Sequence, residues 1–186
     1  MQIYTADSPI LKQICDNIDI DDNKEIKKYL KLAQKAQEMM YDTIGIGIAA
    51  PQVGINKCFI VVDTEYDPDT GKNKNPIIMF NPSITFTSDE TDVAEEGCLS
   101  VPGVHVAVER PISIELDYFA PEKKIIDHIE ANGVFARCIQ HEIDHLNGIT
   151  LLETLKGMKK LQGIAYFNAA KRQGIKPGEP SIYLVK

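Results

Sequence analysis

The stretch QHEIDHLNG, residues 140–148, sets His141 and His145 four positions apart, with Glu142 directly after the first histidine. On a helix that spacing turns both imidazoles to one face, about one turn apart, where they can share a single divalent ion. Glu142 stands one position round, within reach of a water at such an ion. A bound metal lowers the pKa of its water towards about 7, and a carboxylate alongside can take the proton and hand it to a leaving group. The same residues also suit an exposed helix end with Glu142 and Asp144 solvated, so a third ligand has to separate the readings.

Two protease-type completions are missing. In an HExxHxxGxxH arrangement the third histidine would fall at Leu151, and GIAYFNAAKRQG offers no downstream glutamate. His105 and His128 lie in strand-like or loop segments without partner spacing and are read as surface residues. Cys98, in EGCLS, is the better candidate. Gly97 beside it permits close backbone approach, and its thiolate would complete a Cys98/His141/His145 set with one position open for water or substrate. Cys15, Cys58 and Cys138 are flanked by apolar residues and are read as small core fillers.

The elements that must position these residues are legible in outline. Asp21, Asp22 and Asn23 offer N-cap oxygens to a helical period over about residues 22–42. GIGIAAPQ, with two glycines and a proline, cannot be a regular helix. KCFIVVDT reads as a strand, and EYDPDTGKNKNP as a turn-rich loop. IIMFNPSITFTS and VHVAVERPISIELDYF read as strands broken at prolines, with EEGCLSVPG in the connection. ANGVFARCIQHEIDHLNG is a helix ending at Asn147 and Gly148. The stretch after residue 150 has mixed helical signals, and KPGEPSIYLVK ends in a strand.

A chain of 186 residues with 44% apolar and 25% charged residues and no repeat or linker composition implies one small α+β domain over residues 1–186. Four dispersed cysteines without a CxxC pair imply reduced thiols and a cytoplasmic location. No apolar run approaches the roughly 20 residues that span a bilayer, so no membrane is expected. Net charge is −7, which argues against DNA, but residues 153–186 form a basic tail of +5 and leave −12 for the rest. That tail is either a solvated surface or a weak contact to ribosomal RNA.

GIGIAAPQ, EGCLS and QHEIDHLNG, in that order and at these separations, resemble the three signature motifs of peptide deformylase. The resemblance is clear from residue 1 to about 152. It implies an α+β fold of small mixed sheets packed around a central metal-binding helix carrying HExxH. The implied enzyme removes the formyl group from the N-terminal formylmethionine of nascent polypeptides. It also implies Cys98, His141 and His145 as ligands of one divalent metal, iron(II) in the cell with zinc, nickel or cobalt as isolated. Glu142 would be the general acid/base, and the Gln52 amide and Leu99 backbone N–H would meet the developing oxyanion. Gly45 and Gly47, with Gly97, would admit an extended substrate backbone, and Ile46, Val134 and Cys138 would receive the methionine side chain. Two departures stand out: His105 where many relatives carry an arginine, and a divergent tail, YFNAAKRQGIKPGEPSIYLVK, whose proline and β-branched end suggest a loop and a strand.

Two rival readings fit the histidines without that family: a zinc protease of unusual ligation, and a non-catalytic module with a structural metal.

Overall fold

The computed structural model describes residues 1–67 and 69–186. Helix α1, Asn23–Asp42, starts where Asp22 accepts the Lys24 N–H. Its buried stripe, Ile26, Tyr29, Ala33, Ala36 and Met40, recurs at three- and four-residue intervals, as one face of a helix requires. That face packs on two short strands, β1 (Gly47–Ala49) and β2 (Phe59–Val62). The five remaining central strands are β3 (Ile77–Thr87), β4 (Thr91–Gly97), β5 (Val104–Pro111), β6 (Ser113–Ala120) and β7 (Ile125–Asn132). Helix α2, Gly133–Leu146, follows β7 directly, and α3, Gly157–Arg172, and β8, Tyr183–Val185, complete the chain.

The strands form two sheets. The larger runs β1-β2-β3-β6-β7 with every pairing antiparallel, and the smaller runs β4-β5-β8, where β8 lies parallel to β5. Helix α2 touches strands of both sheets, β1, β2, β6 and β7 of the first and β5 of the second. This is the expected α+β architecture, with the helix that carries both histidines at its centre.

Several local expectations are corrected. Strand β3 is not broken at Pro82. Its pairing with β6 shifts register between Phe80 and Ser83, so the missing N–H falls in an irregularity rather than a ladder. Asn81, at φ +49°, stabilises that bend by clasping the Ile18 backbone, accepting from its N–H at 2.9 Å and donating to its carbonyl at 2.8 Å. Glu95, Glu96 and Gly97 are not in a connection but end β4, which the sequence reading missed along with β7. Both strands are polar and largely exposed on one side, so they lack the apolar run that marks a buried strand. In the tail, Tyr166–Arg172 belong to α3, not to a loop. Its buried residues are only Gly163, Phe167 and Ala170, too few and too small to print a clear stripe.

Two tertiary ties hold the entrance to the site. Buried Asp63 accepts from the Tyr41 hydroxyl at 2.5 Å, the Tyr66 N–H at 3.0 Å and the Asn75 N–H at 2.8 Å. Its own N–H donates to the Ile46 carbonyl at 2.8 Å, pinning the GIG segment. All four cysteines are free thiols, as expected. Cys15 is buried, whereas Cys58 is only partly so and donates to the Cys15 carbonyl.

The tail is built into the core. Val185 is fully buried in a cluster with Val104, Val106, Leu152 and Phe167. Val185→Ala is expected to cost about 1–3 kcal/mol in urea unfolding. Ile182→Ala, at a side chain 50% exposed, is expected to stay within about 0.5 kcal/mol of wild type.

Candidate metal centre and substrate cleft

Strand β4 and helix α2 bring Cys98 to the two histidines. Cys98 is the first residue after β4, in a turn closed by the Val101 N–H on the Cys98 carbonyl at 2.9 Å. Its Sγ lies 3.2 Å from His145 Nε2, and ligand atoms of Cys98, His141 and His145 lie within 4.8 Å of one another. One soft thiolate and two imidazoles form a donor set that suits a divalent transition ion. Structural zinc sites are usually closed by four protein ligands, and among the described residues this cluster has three.

The candidate ligands are oriented by residues that the sequence reading did not single out. Glu96 accepts from His141 Nδ1 at 2.9 Å, which turns the other ring nitrogen towards Cys98. The same carboxylate takes a two-pronged bond from Arg110, Nε at 2.6 Å and Nη2 at 3.0 Å, and a third from Arg137 at 2.8 Å. Arg110 reaches on to Asp144 at 2.9 Å, tying α2 to the β4–β5 hairpin a third time. Burial opposes ionisation of Glu96, but hydrogen bonds from His141 and Arg110 outweigh it and hold its carboxyl at about 2. A carboxylate behind a ligating histidine fixes the ring and raises its basicity. A sequence signal did exist: Glu96 is an acidic residue only two positions before Cys98, close enough in the chain to reach the same site.

The electrostatics set the two imidazoles apart. Burial, followed by the positive charges of His141 and Arg110, holds His145 well below its ordinary range, so its imidazole is neutral and free to ligate. At His141 burial opposes protonation, yet Cys98 and Glu96 outweigh it and favour positive charge. Burial pushes the Glu142 carboxyl up to about 7. Among the described residues Glu142 Oε2 is buried with no hydrogen-bond partner, as is His145 Nδ1. An unpartnered buried carboxylate oxygen is costly unless a water or substrate group completes it.

Every other expected site residue converges here. Gln52, Leu99, Cys98, His141, Glu142, Gly45, Ile46, Gly47, Gly97, Val134 and Cys138 all line one cleft of about 620 Å³, with His145 buried behind Cys98. Gln52 accepts the Ala49 N–H on its side-chain oxygen at 2.7 Å. Its Nε2 is thereby aimed at Cys98 Sγ, 3.7 Å away, and at Ser100 Oγ, 3.3 Å away. The Leu99 N–H meets no backbone acceptor among the described residues. At Gly47 a Cβ would stand 2.5 Å from Glu142 Oε1 and 2.6 Å from Cys138 Sγ, so glycine is required for Glu142 to sit where it does.

Cys138 is both buried filler and cleft wall, and burial pushes its thiol well up, which makes it inert. Val134 is 63% exposed at the rim. His128 is a surface residue paired with Asp117 at 2.8 Å, as expected. His105 is exposed but lines the cleft, lying across Gly97 so that a Cβ there would meet its Nε2 at 2.7 Å.

Removing the carboxylate behind His141 isolates its role. Glu96→Ala is expected to weaken binding of cobalt(II) or zinc about 10–100-fold in a competitive chelator titration, while Glu95→Ala, one position along β4, leaves it unchanged.

The polypeptide deformylase family model matches residues 1–161. The peptide deformylase of Rhizobium meliloti (strain 1021) is 39% identical over 169 residues, which covers 90% of this chain and 92% of that one. Among solved structures, a peptide deformylase from Synechococcus elongatus in complex with actinonin superposes with a TM-score of 0.78 at 32% identity, covering 98% of this chain and 92% of that one. A Met-Ala-Ser bound class I type b peptide deformylase from Acinetobacter baumannii gives 0.74 at 33% identity, over 83% of this chain and 98% of that one. With a match across most of its length and the three motifs folded into one cleft, the chain belongs to the polypeptide deformylase family.

Proposed function

We propose that Cys98, His141 and His145 hold one divalent metal ion and that Glu142, Gln52 and Leu99 carry out deformylation beside it. The reaction is hydrolysis of the N-formyl group from the N-terminal formylmethionine of nascent polypeptides, releasing formate. The observation that carries the assignment is a thiol 3.2 Å from His145 Nε2 with an unpartnered, buried Glu142 oxygen in the same cleft. An ion held by these residues supplies Lewis acidity that makes water nucleophilic near neutral pH.

The chain's own residues do the rest. Glu142 takes the proton of the attacking water and returns it to the leaving amine, a role that suits a carboxyl poised at about 7. The Gln52 amide, locked from behind by Ala49, and the Leu99 N–H donate to the oxygen that becomes negative, each worth about 3 kcal/mol in comparable sites. Gly45, Gly47 and Gly97 admit the peptide backbone in the manner of an added strand. Ile46, Val134 and Cys138 receive the methionine side chain. The Met-Ala-Ser peptide bound to the Acinetobacter relative supports a peptide in this cleft.

The metal is iron(II) in the cell, by family resemblance, with zinc, nickel or cobalt as isolated. Free thiols support a cytoplasmic location, and no helix among the described residues is long and apolar enough to cross a membrane. Residues 1–186 act as one domain, and 153–186, mostly beyond the matched span, are its divergent part.

The basic tail makes a weak ribosome contact: Lys156, Lys159, Arg172, Lys176 and Lys186 are exposed, while Lys171 pairs with Asp7 at 2.6 Å. Because Phe167 and Val185 are buried in the core, the tail is probed by point substitutions that leave it folded. Lys159→Glu with Lys176→Glu is expected to reduce co-sedimentation with ribosomes at low salt, and unchanged binding would end this idea.

Formate release from formyl-Met-Ala-Ser by anaerobically purified protein tests the main assignment. Glu142→Gln is expected to keep the metal and lose about 10³-fold in kcat, and Cys98→Ala to lose metal and activity together. Full activity in Glu142→Gln would overturn the role given to Glu142.

A further inference from the structure

The segment after α3 returns to the cleft. Gly178, at φ +85°, is pressed so closely on Thr43 that a Cβ would meet its carbonyl oxygen at 2.8 Å. Four and five residues later, the Ile182 and Tyr183 N–H groups both donate to the Gly103 carbonyl at 3.1 Å. Thr43 leads into the Gly45–Gly47 segment on one side of the cleft, and Gly103 follows the Cys98–Leu99 turn on the other. Residues 178–181 therefore cross from one wall to the other, and all four line the cleft. The chain closes one end of its own cleft with a strap.

Glu179 stands in the middle of that strap, exposed. Its Oε2 accepts the Lys176 N–H at 2.9 Å, and its own N–H donates to the Lys176 carbonyl at 3.1 Å, so the carboxylate is held rather than free to wander. Its other oxygen has no partner among the described residues. Exposed Glu95 lines the same cleft. Arg137, the arginine in the lining, is committed to Glu96 and to the Val108 and Asp92 carbonyls at 2.8, 3.0 and 2.8 Å. His141, also in the lining, is committed to Glu96, so among the described residues His105 is the remaining basic side chain there.

We propose that the strap is the outer wall of the peptide site and that Glu179 makes the enzyme prefer formylated peptides with lysine or arginine just after the methionine. This rests on the deformylase reading above. A peptide laid between the two walls has its formyl end at Cys98 and runs to the strap at the other end, because the strap joins those walls. A held carboxylate there attracts a cationic side chain and repels an acidic one. The attraction is between exposed groups, so it is modest and falls with salt.

The test compares kcat/KM for formyl-Met-Lys-Lys-Ser and formyl-Met-Glu-Glu-Ser at about 20 and about 500 mM salt, roughly fivefold below and above the 0.1 M at which screening reaches about 10 Å. Wild type is expected to favour the lysine peptide by about fivefold at low salt, through KM, and much less at high salt. Glu179→Lys is expected to abolish or invert that ratio, and a ratio within one sample is insensitive to the fraction of protein folded. Gly178→Ala, which pushes the strap off Thr43, is expected to raise KM for both tetrapeptides more than for formyl-Met-Ala. Formate release with an unaltered ratio in Glu179→Lys would overturn this inference alone. Absence of release from every peptide in metal-loaded wild type would overturn the active-site reading and this inference with it.

Discussion

The centre of this protein hangs on one buried carboxylate. Glu96 is shared by His141, Arg110 and Arg137, and Arg110 continues to Asp144, so two strands of the smaller sheet are bolted to the central helix at three positions, Arg137, His141 and Asp144. Such a network contributes little net stability, since desolvation cancels much of the attraction, yet losing one member costs about 3–5 kcal/mol because its partners are left buried and unpaired. Its effect is positional. Cys98, two residues beyond Glu96, is carried by the same strand to the face of α2 where both imidazoles emerge.

Close backbone approach is the second constraint. Helix α2 lies against β1 at Gly47, where the missing side chain makes room for Glu142 and Cys138. That proximity keeps Glu142 dry and lifts its pKa to about 7. The same contact that packs the helix on the sheet therefore sets the proton affinity of the group proposed to move protons. The Asp63 clasp on Tyr41, Tyr66 and Asn75, with its N–H on Ile46, holds the strand end that makes this fit.

The tail extends the same logic outward. Strand β8 covers the open edge of β5, and Val185 fills the small sheet's core, so the basic C-terminal stretch is a structural layer before it is anything else. Because β8 must reach β5 at Gly103, the loop before it has to pass the end of the cleft, and a stabilising element becomes a wall of the peptide site.

The residues proposed to hold a metal and to move a proton were legible as candidates in the sequence, because the helical spacing of His141, Glu142 and His145 is local and the order of three short motifs is nearly unique. Helix α1 and the end of α2 at Gly148 were legible for the same reason: caps and periodicity act within a few residues. Strands β4 and β7 were not, since half-exposed polar strands carry no apolar signature. Nor were Glu96, Arg110, Arg137 and Asp144, whose meeting depends on hairpin pairing and on a helix 34 residues beyond Arg110. The sequence determined which atoms could bind a metal and move a proton. Only the tertiary structure decided which carboxylate orients His141, how dry Glu142 is, and that the last residues close the cleft, because burial and long-range pairing are properties of the packed chain.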